Sequence, residues 1–158
     1  MKLLDIVVQT AILPNLASTE RDQAIEEMVD SLVDTGALSP ELKDEFIKSV
    51  IKREKRGSTG FGHGVAVPHV KHSAISKMAV AIGISRGGID FNALDKQPVY
   101  SIFLLLSPED KPEDHLDAME AIFGNLSQEN FRRFLRQADS VEDVLTLLEE
   151  ADAKATMR

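Results

Sequence analysis

Apolar residues recur at three- and four-residue spacing after Ser18: Ile25, Met28, Val29, Leu32 and Val33 fall on one face. The spacing predicts an amphipathic helix capped by Ser18 or Thr19 and stopped by Gly36. Ahead of it, MKLLDIVVQTAILPNL is a short apolar run that fits either a first strand or a first helix. Ser39 followed by Pro40 marks a second helix start, and Leu42, Phe46, Ile47, Val50 and Ile51 carry the pattern towards Arg56, where Gly57 ends it. GSTGFGHG has four glycines in eight residues and reads as a loop. Val65 to Val67 read as a brief strand that Pro68 interrupts. The runs 78–85 and 99–106 are nearly continuous in apolar, β-favouring residues, as expected of strands covered on both faces. RGGIDF between them reads as a turn leading into a short hairpin or edge strand. Three more helices are predicted from Pro112, Ser127 and Ser140, carrying Ile122, Phe131 and Leu148 among their apolar positions. Helices before and after a central group of strands place the chain in the α/β class, as a layered α/β/α single domain over 1–151. Residues 152–158 show no periodicity and are expected to fray.

Composition narrows the chemistry. The 158 residues, 43% apolar and 28% charged, suit one globular domain. Eighteen Lys and Arg against twenty-six Asp and Glu leave −8, which argues against a broad nucleic-acid footprint and for a basic protein partner. The absence of cysteine removes disulfides, a thiolate nucleophile and a cysteine zinc site. No run approaches the roughly 20 apolar residues of a membrane span, so the expected setting is the cytoplasm.

His63, His69 and His72 fall within ten residues, and imidazole can act as nucleophile, acid, base or ligand near neutral pH. A metal site would need further ligands, yet Pro68 breaks the strand and no carboxylate lies between Gly57 and Lys71. No metal and no cofactor is expected; the plain alternative is three solvated loop histidines. The glycine loop gives a second signal, since backbone N–H groups of Gly57, Ser58, Thr59 and Gly60 can form an anion nest. It lacks the ending of a P-loop, the Rossmann spacing and a serine nucleophile elbow. Arg53 just before the loop and Pro68-His69 just after it would put a guanidinium, backbone donors and an imidazole around one phosphate position.

REKRGSTGFGHGVAVPH, Arg53 to His69, resembles the signature of IIA domains of the bacterial phosphotransferase system, in the fructose/mannitol class that includes the nitrogen-regulatory IIA proteins. HLDAMEAIFGNLS, His115 to Ser127, is a second match. The resemblance spans residue 1 to about 151 and implies an α/β/α fold with a central mixed sheet. It also implies a transient phosphohistidine at His69, assisted by Arg53 and by a second active-site histidine, His115. His63 and His72 match no active-site position and are expected at the surface. Val70 stands where the family usually has glycine.

The expected function is that of a stand-alone phosphocarrier of nitrogen-regulatory type, accepting phosphate from phospho-HPr or an HPr-like protein. Delivery to a separate IIB protein in sugar transport is the alternative to a regulatory target. From other classes come a non-phosphorylated interaction module and a histidine-based metal hydrolase.

Overall fold

In the computed structural model, which describes residues 1–156, a six-stranded mixed sheet is flanked by helices on both faces. The opening run divides between the two expected forms: a one-turn helix α1 (Leu3–Ile6) passes directly into β1 (Val7–Leu13). Helix α2 (Arg21–Asp34) buries Ala24, Ile25, Met28, Val29 and Leu32. Its N-cap is Glu20, one residue beyond Thr19, the nearer of the two expected caps. The Ser18 N–H and hydroxyl are instead bound by the Glu27 carboxylate, at 3.0 and 2.7 Å. Pro40 opens a 3₁₀ turn (Pro40–Leu42) that leads into α3 (Lys43–Arg56).

The chain then builds one broken edge along a central strand. After β2 (Gly60–Gly62), β3 (Val65–Ala66) pairs in parallel with the start of β6 (Val99–Pro108), and β4 (His69–His72) pairs in parallel with its end. Pro68 has no N–H to give the ladder, so β3 and β4 are separate strands on the same side of β6. On the other side β5 (Ala79–Ile89) is antiparallel to β6 and parallel to β1. The turn expected at RGGIDF is absent: β5 runs through Arg86, Gly87 and Gly88, with an irregularity in register between Ile84 and Ile89 that Gly88 accommodates at φ +83°.

Period-two alternation explains the apolar runs. Ala81, Ile102, Leu104 and Leu106 face α2 and α3, joining Ile25, Met28, Phe46 and Val50 in one core. Val80, Ile82, Ile84, Phe103 and Leu105 face the other layer, made by α4 (Pro112–Leu126), α5 (Glu129–Gln137) and α6 (Val141–Thr156). The expected fraying from residue 152 is corrected here. Helix α6 continues to Thr156, and Asp152, only 7% exposed, accepts hydrogen bonds from the Leu3 and Leu4 N–H groups at 2.8 and 3.0 Å. A carboxylate over the free amides of α1 holds the helix where apolar periodicity has stopped. Residues 157–158 lie outside the described residues.

Candidate functional site

The end of the sheet at the close of β6 brings together two histidines forty-six positions apart. His69 begins β4, opposite Leu105 in register, and His115 lies in the first turn of α4, the helix that follows β6. Their ring centroids are 5.6 Å apart and the rings are inclined at 52°.

Each imidazole is oriented by one neighbour. His69 Nδ1 lies 2.8 Å from the Val67 carbonyl oxygen. A carbonyl only accepts, so Nδ1 carries the proton and Nε2 of the neutral ring holds the lone pair. His115 Nδ1 lies 2.7 Å from the Ser107 hydroxyl. Ser107 is fully buried at the end of β6 and was not singled out in the sequence; a lone hydroxyl closing LLLSP reads there as a strand terminator. Lys71, not counted among the site residues from sequence, projects from β4 at the same parity as His69.

His115 is 9% exposed, and burial depresses its pKa below the ordinary 6.5, with the Lys71 charge and His69 acting in the same direction. Its imidazole is therefore neutral at neutral pH. Folding then opposes protonation, so this group's contribution to stability is complete above about pH 6.5 and declines as pH falls through the lowered folded-state value. An NMR titration should show His115 titrating below 6.5, and a dianionic phosphoryl group attached to His69 should move it upward, because an adjacent negative charge favours the imidazolium. A His115 value unchanged by phosphorylation would place the phosphoryl group elsewhere.

Arg53 occupies the last turn of α3, is exposed, and donates from Nη1 to the Gly57 carbonyl at 2.9 Å. This fixes one arm of the guanidinium at the helix C-terminus and leaves the remaining N–H groups for another acceptor. No hydrogen bond joins Arg53 to His69 among the described residues.

The glycine loop differs from the anion nest expected for it. Three of its four N–H groups are turned onto the protein: Gly57 donates to the Glu54 carbonyl at 3.2 Å, Thr59 to Glu54 Oε2 at 3.1 Å, and Gly60 to the Ser58 hydroxyl at 2.9 Å. The Ser58 hydroxyl in turn donates to the Phe91 carbonyl at 2.6 Å, and the Thr59 hydroxyl to Glu54 Oε1. Glu54, 3% exposed, is thus the organiser of the segment between Arg53 and β2. Inside REKR it reads as a solvated acid among bases, and only its burial shows otherwise.

His72 is corrected from a free surface residue: its ring packs 4.7 Å from Phe46, and Nε2 lies 3.0 Å from Glu45, which ties β4 to α3. His63 is exposed, with φ +60°, in the turn between β2 and β3 at the far end of the sheet. Val70 needs no glycine-like backbone, because it is an ordinary β4 residue opposite Leu106 and packs on the α2–α3 core. No helix among the described residues is long and apolar enough to cross a membrane.

Comparison with known proteins accords with this geometry. Residues 6–151 match the family described as "Phosphoenolpyruvate-dependent sugar phosphotransferase system, EIIA 2". The chain is 32% identical over 148 residues to a nitrogen regulatory protein of Bradyrhizobium diazoefficiens, covering 94% of this chain and 95% of that one. It is 30% identical over 152 residues to the fructose-specific EIIABC component of Bacillus subtilis, covering 96% of this chain but spanning only 24% of that longer protein. The crystal structure of nitrogen regulatory protein IIA-Ntr from Neisseria meningitidis superposes with a TM-score of 0.82 at 31% identity, covering 90% of this chain and 96% of that one. The chain belongs to the EIIA 2 family of the phosphoenolpyruvate-dependent sugar phosphotransferase system, with fructose-specific and nitrogen-regulatory IIA proteins among its relatives.

Proposed function

We propose that the protein is a phosphocarrier in which His69 Nε2 accepts a phosphoryl group from a phosphohistidine donor, HPr or an HPr-like protein. The observation that carries this reading is the hydrogen bond from His69 Nδ1 to the Val67 carbonyl, which presents the nucleophilic nitrogen beside His115. The Nε2 lone pair forms the new N–P bond while the donor N–P bond breaks, and its electron pair returns to the departing donor imidazole. The proton on His69 Nδ1 stays in place. Positive charge gathering on the His69 ring is met by the Val67 carbonyl, and no general base is needed. Catalysis of this in-line, loosely bonded transfer rests on positioning and charge.

In the tautomer whose Nδ1 accepts from the Ser107 hydroxyl, neutral His115 carries a hydrogen on Nε2 and offers it to a phosphoryl oxygen. Lys71 supplies a nearby positive charge, and the free arm of Arg53 supplies a planar donor fork. These residues work in the cytoplasm, where a nitrogen-regulatory role passes the signal to a target protein. Relatives named for nitrogen regulation that match this chain end to end support that role.

Incubation with enzyme I, HPr and phosphoenolpyruvate should give one acid-labile phosphate per chain; the absence of label would refute the reading. Arg53→Ala should slow the transfer about ten- to a hundredfold, the equivalent of one charge-assisted hydrogen bond of about 1.5–3 kcal/mol realised in the transition state. Arg53→Lys, which keeps the charge and loses the fork, should recover only part of it. Wild-type rates in Arg53→Ala would reduce the residue to a helix-end cation.

A further inference from the structure

The opposite end of the sheet holds a cleft of about 810 Å³ to which neither His69, His115 nor Arg53 contributes. Its floor is formed by Ser85 and Ser101, and one wall by Arg132, Arg133 and Arg136 of α5, with Arg86 of β5 at the rim. Along β6, Ser101 lies four residues from Leu105, the register partner of His69, so at about 3.3 Å per residue the two sites are about 13 Å apart.

Four arginines line this cleft in a chain of net charge −8, yet none is in an ion pair among the described residues. The ion pairs among the described residues are Arg21–Asp22, Lys43–Asp30 and His72–Glu45. The carboxylates lining the cleft do not offset the arginines by contact. Asp95 is spent on the His63 and Gln97 N–H groups at 3.2 and 3.1 Å, and Glu129 sits in the first turn of α5.

Two of the guanidiniums are held in place without being used up. Arg136 stacks on the Tyr100 ring, 3.5 Å from its centroid, and Arg132 donates from Nη1 to the Leu126 carbonyl at 2.8 Å. Each keeps N–H groups for an outside acceptor. Tyr100 is itself wedged: a Cβ on Gly64 or Gly88 would meet its ring at 3.1 and 3.0 Å. On the floor, the Ser85 oxygen accepts from Gly88 N–H at 3.1 Å, which leaves its hydroxyl proton free to be donated. The cleft therefore sets four guanidiniums and a free hydroxyl against two carboxylates, neither of which is paired with an arginine.

We propose that this cleft binds a small anion carrying two linked phosphoryl groups. Planar guanidinium forks match phosphate oxygens two at a time, and the volume falls within the roughly 300–1,000 Å³ of small-molecule sites. A concave site of this size, in an otherwise acidic protein, favours a metabolite-sized ligand over a nucleic-acid backbone.

The test is titration of the full chain with inorganic pyrophosphate, followed by calorimetry and amide NMR. One saturable site is expected, with shifts at Ser85, Arg86, Ser101 and residues 132–136, while His69 and His115 stay unmoved. In the double variant Arg86→Gln, Arg133→Gln, both exposed positions, affinity should fall about tenfold or more with thermal stability and His69 phosphorylation unchanged. Lack of saturation at millimolar pyrophosphate, undiminished affinity in the double variant, or shifts centred on His69 would each overturn the proposal. So would an RNA oligonucleotide that binds the chain and is not displaced by pyrophosphate.

Discussion

Replacing His69 with alanine is expected to abolish phosphoryl uptake from phospho-HPr while leaving the fold intact. His69 is partly exposed at the start of an edge strand and is absent from both apolar cores, so its removal leaves no large cavity. The loss should be complete because no other residue combines an unprotonated nitrogen, a fixed ring and a flanking donor. His115 is buried and held by Ser107, His72 is engaged by Glu45, and His63 lies at the other end of the sheet. Uptake is measured as acid-labile label per chain, with circular dichroism as the control for folding. Residual label at more than a few per cent of wild type would identify a different acceptor.

The second large effect is structural and falls on Glu54. Glu54→Ala removes the carboxylate that receives the Thr59 N–H and hydroxyl in a buried setting, and leaves both donors unpaired. Hydrogen bonds to a charged group contribute about 1.5–3 kcal/mol each, so a loss of about 3 kcal/mol is expected even if the two are partly redundant. Thr59→Val should cost about half of that, and the double variant should cost less than the sum of the single changes. Denaturant unfolding measures this. Because Glu54 also fixes the segment that receives Arg53 at Gly57, phosphotransfer should slow in Glu54→Ala under conditions where the variant is still folded. A change of less than about 0.5 kcal/mol, typical of a surface site, would show that the buried network has been misassigned.

Much of the fold was legible because it is written in periodicities. The three- and four-residue rhythm of Ile25, Met28, Val29 and Leu32 marks a helix whatever it packs on, and the apolar runs now seen as β5 and β6 announce strands covered on both faces. Where the reading fell short, non-local contacts decide the structure. His69-Val70-Lys71-His72 has no apolar rhythm and is a strand only because the end of β6 offers it a parallel partner. The RGG stretch looks like a turn, and the register change beside Ile84 absorbs it into β5. Helix α6 outlasts its apolar pattern because Asp152 reaches α1 across the fold.

The candidate site divides in the same way. His69, Arg53 and His115 were visible through a resemblance to a family, which carried information that residue spacing alone does not. Their supports were not. Ser107 holds His115 from a different element, the Val67 carbonyl has no side-chain identity to read, and the burial of Glu54 depends on how the loop folds back. The loop glycines were read as an anion nest from composition, whereas the direction of their N–H groups is set by Glu54 and Ser58.

The nitrogen that bears the phosphoryl group tests the account most directly. In protein labelled with nitrogen-15 at histidine and phosphorylated by phospho-HPr, long-range proton–nitrogen correlations distinguish the two ring positions. The Val67 carbonyl requires a proton on Nδ1, so phosphorus should be bonded to Nε2 of His69 with the Nδ1 proton retained. Phosphorus on Nδ1 of His69, or on any other residue, would contradict the account.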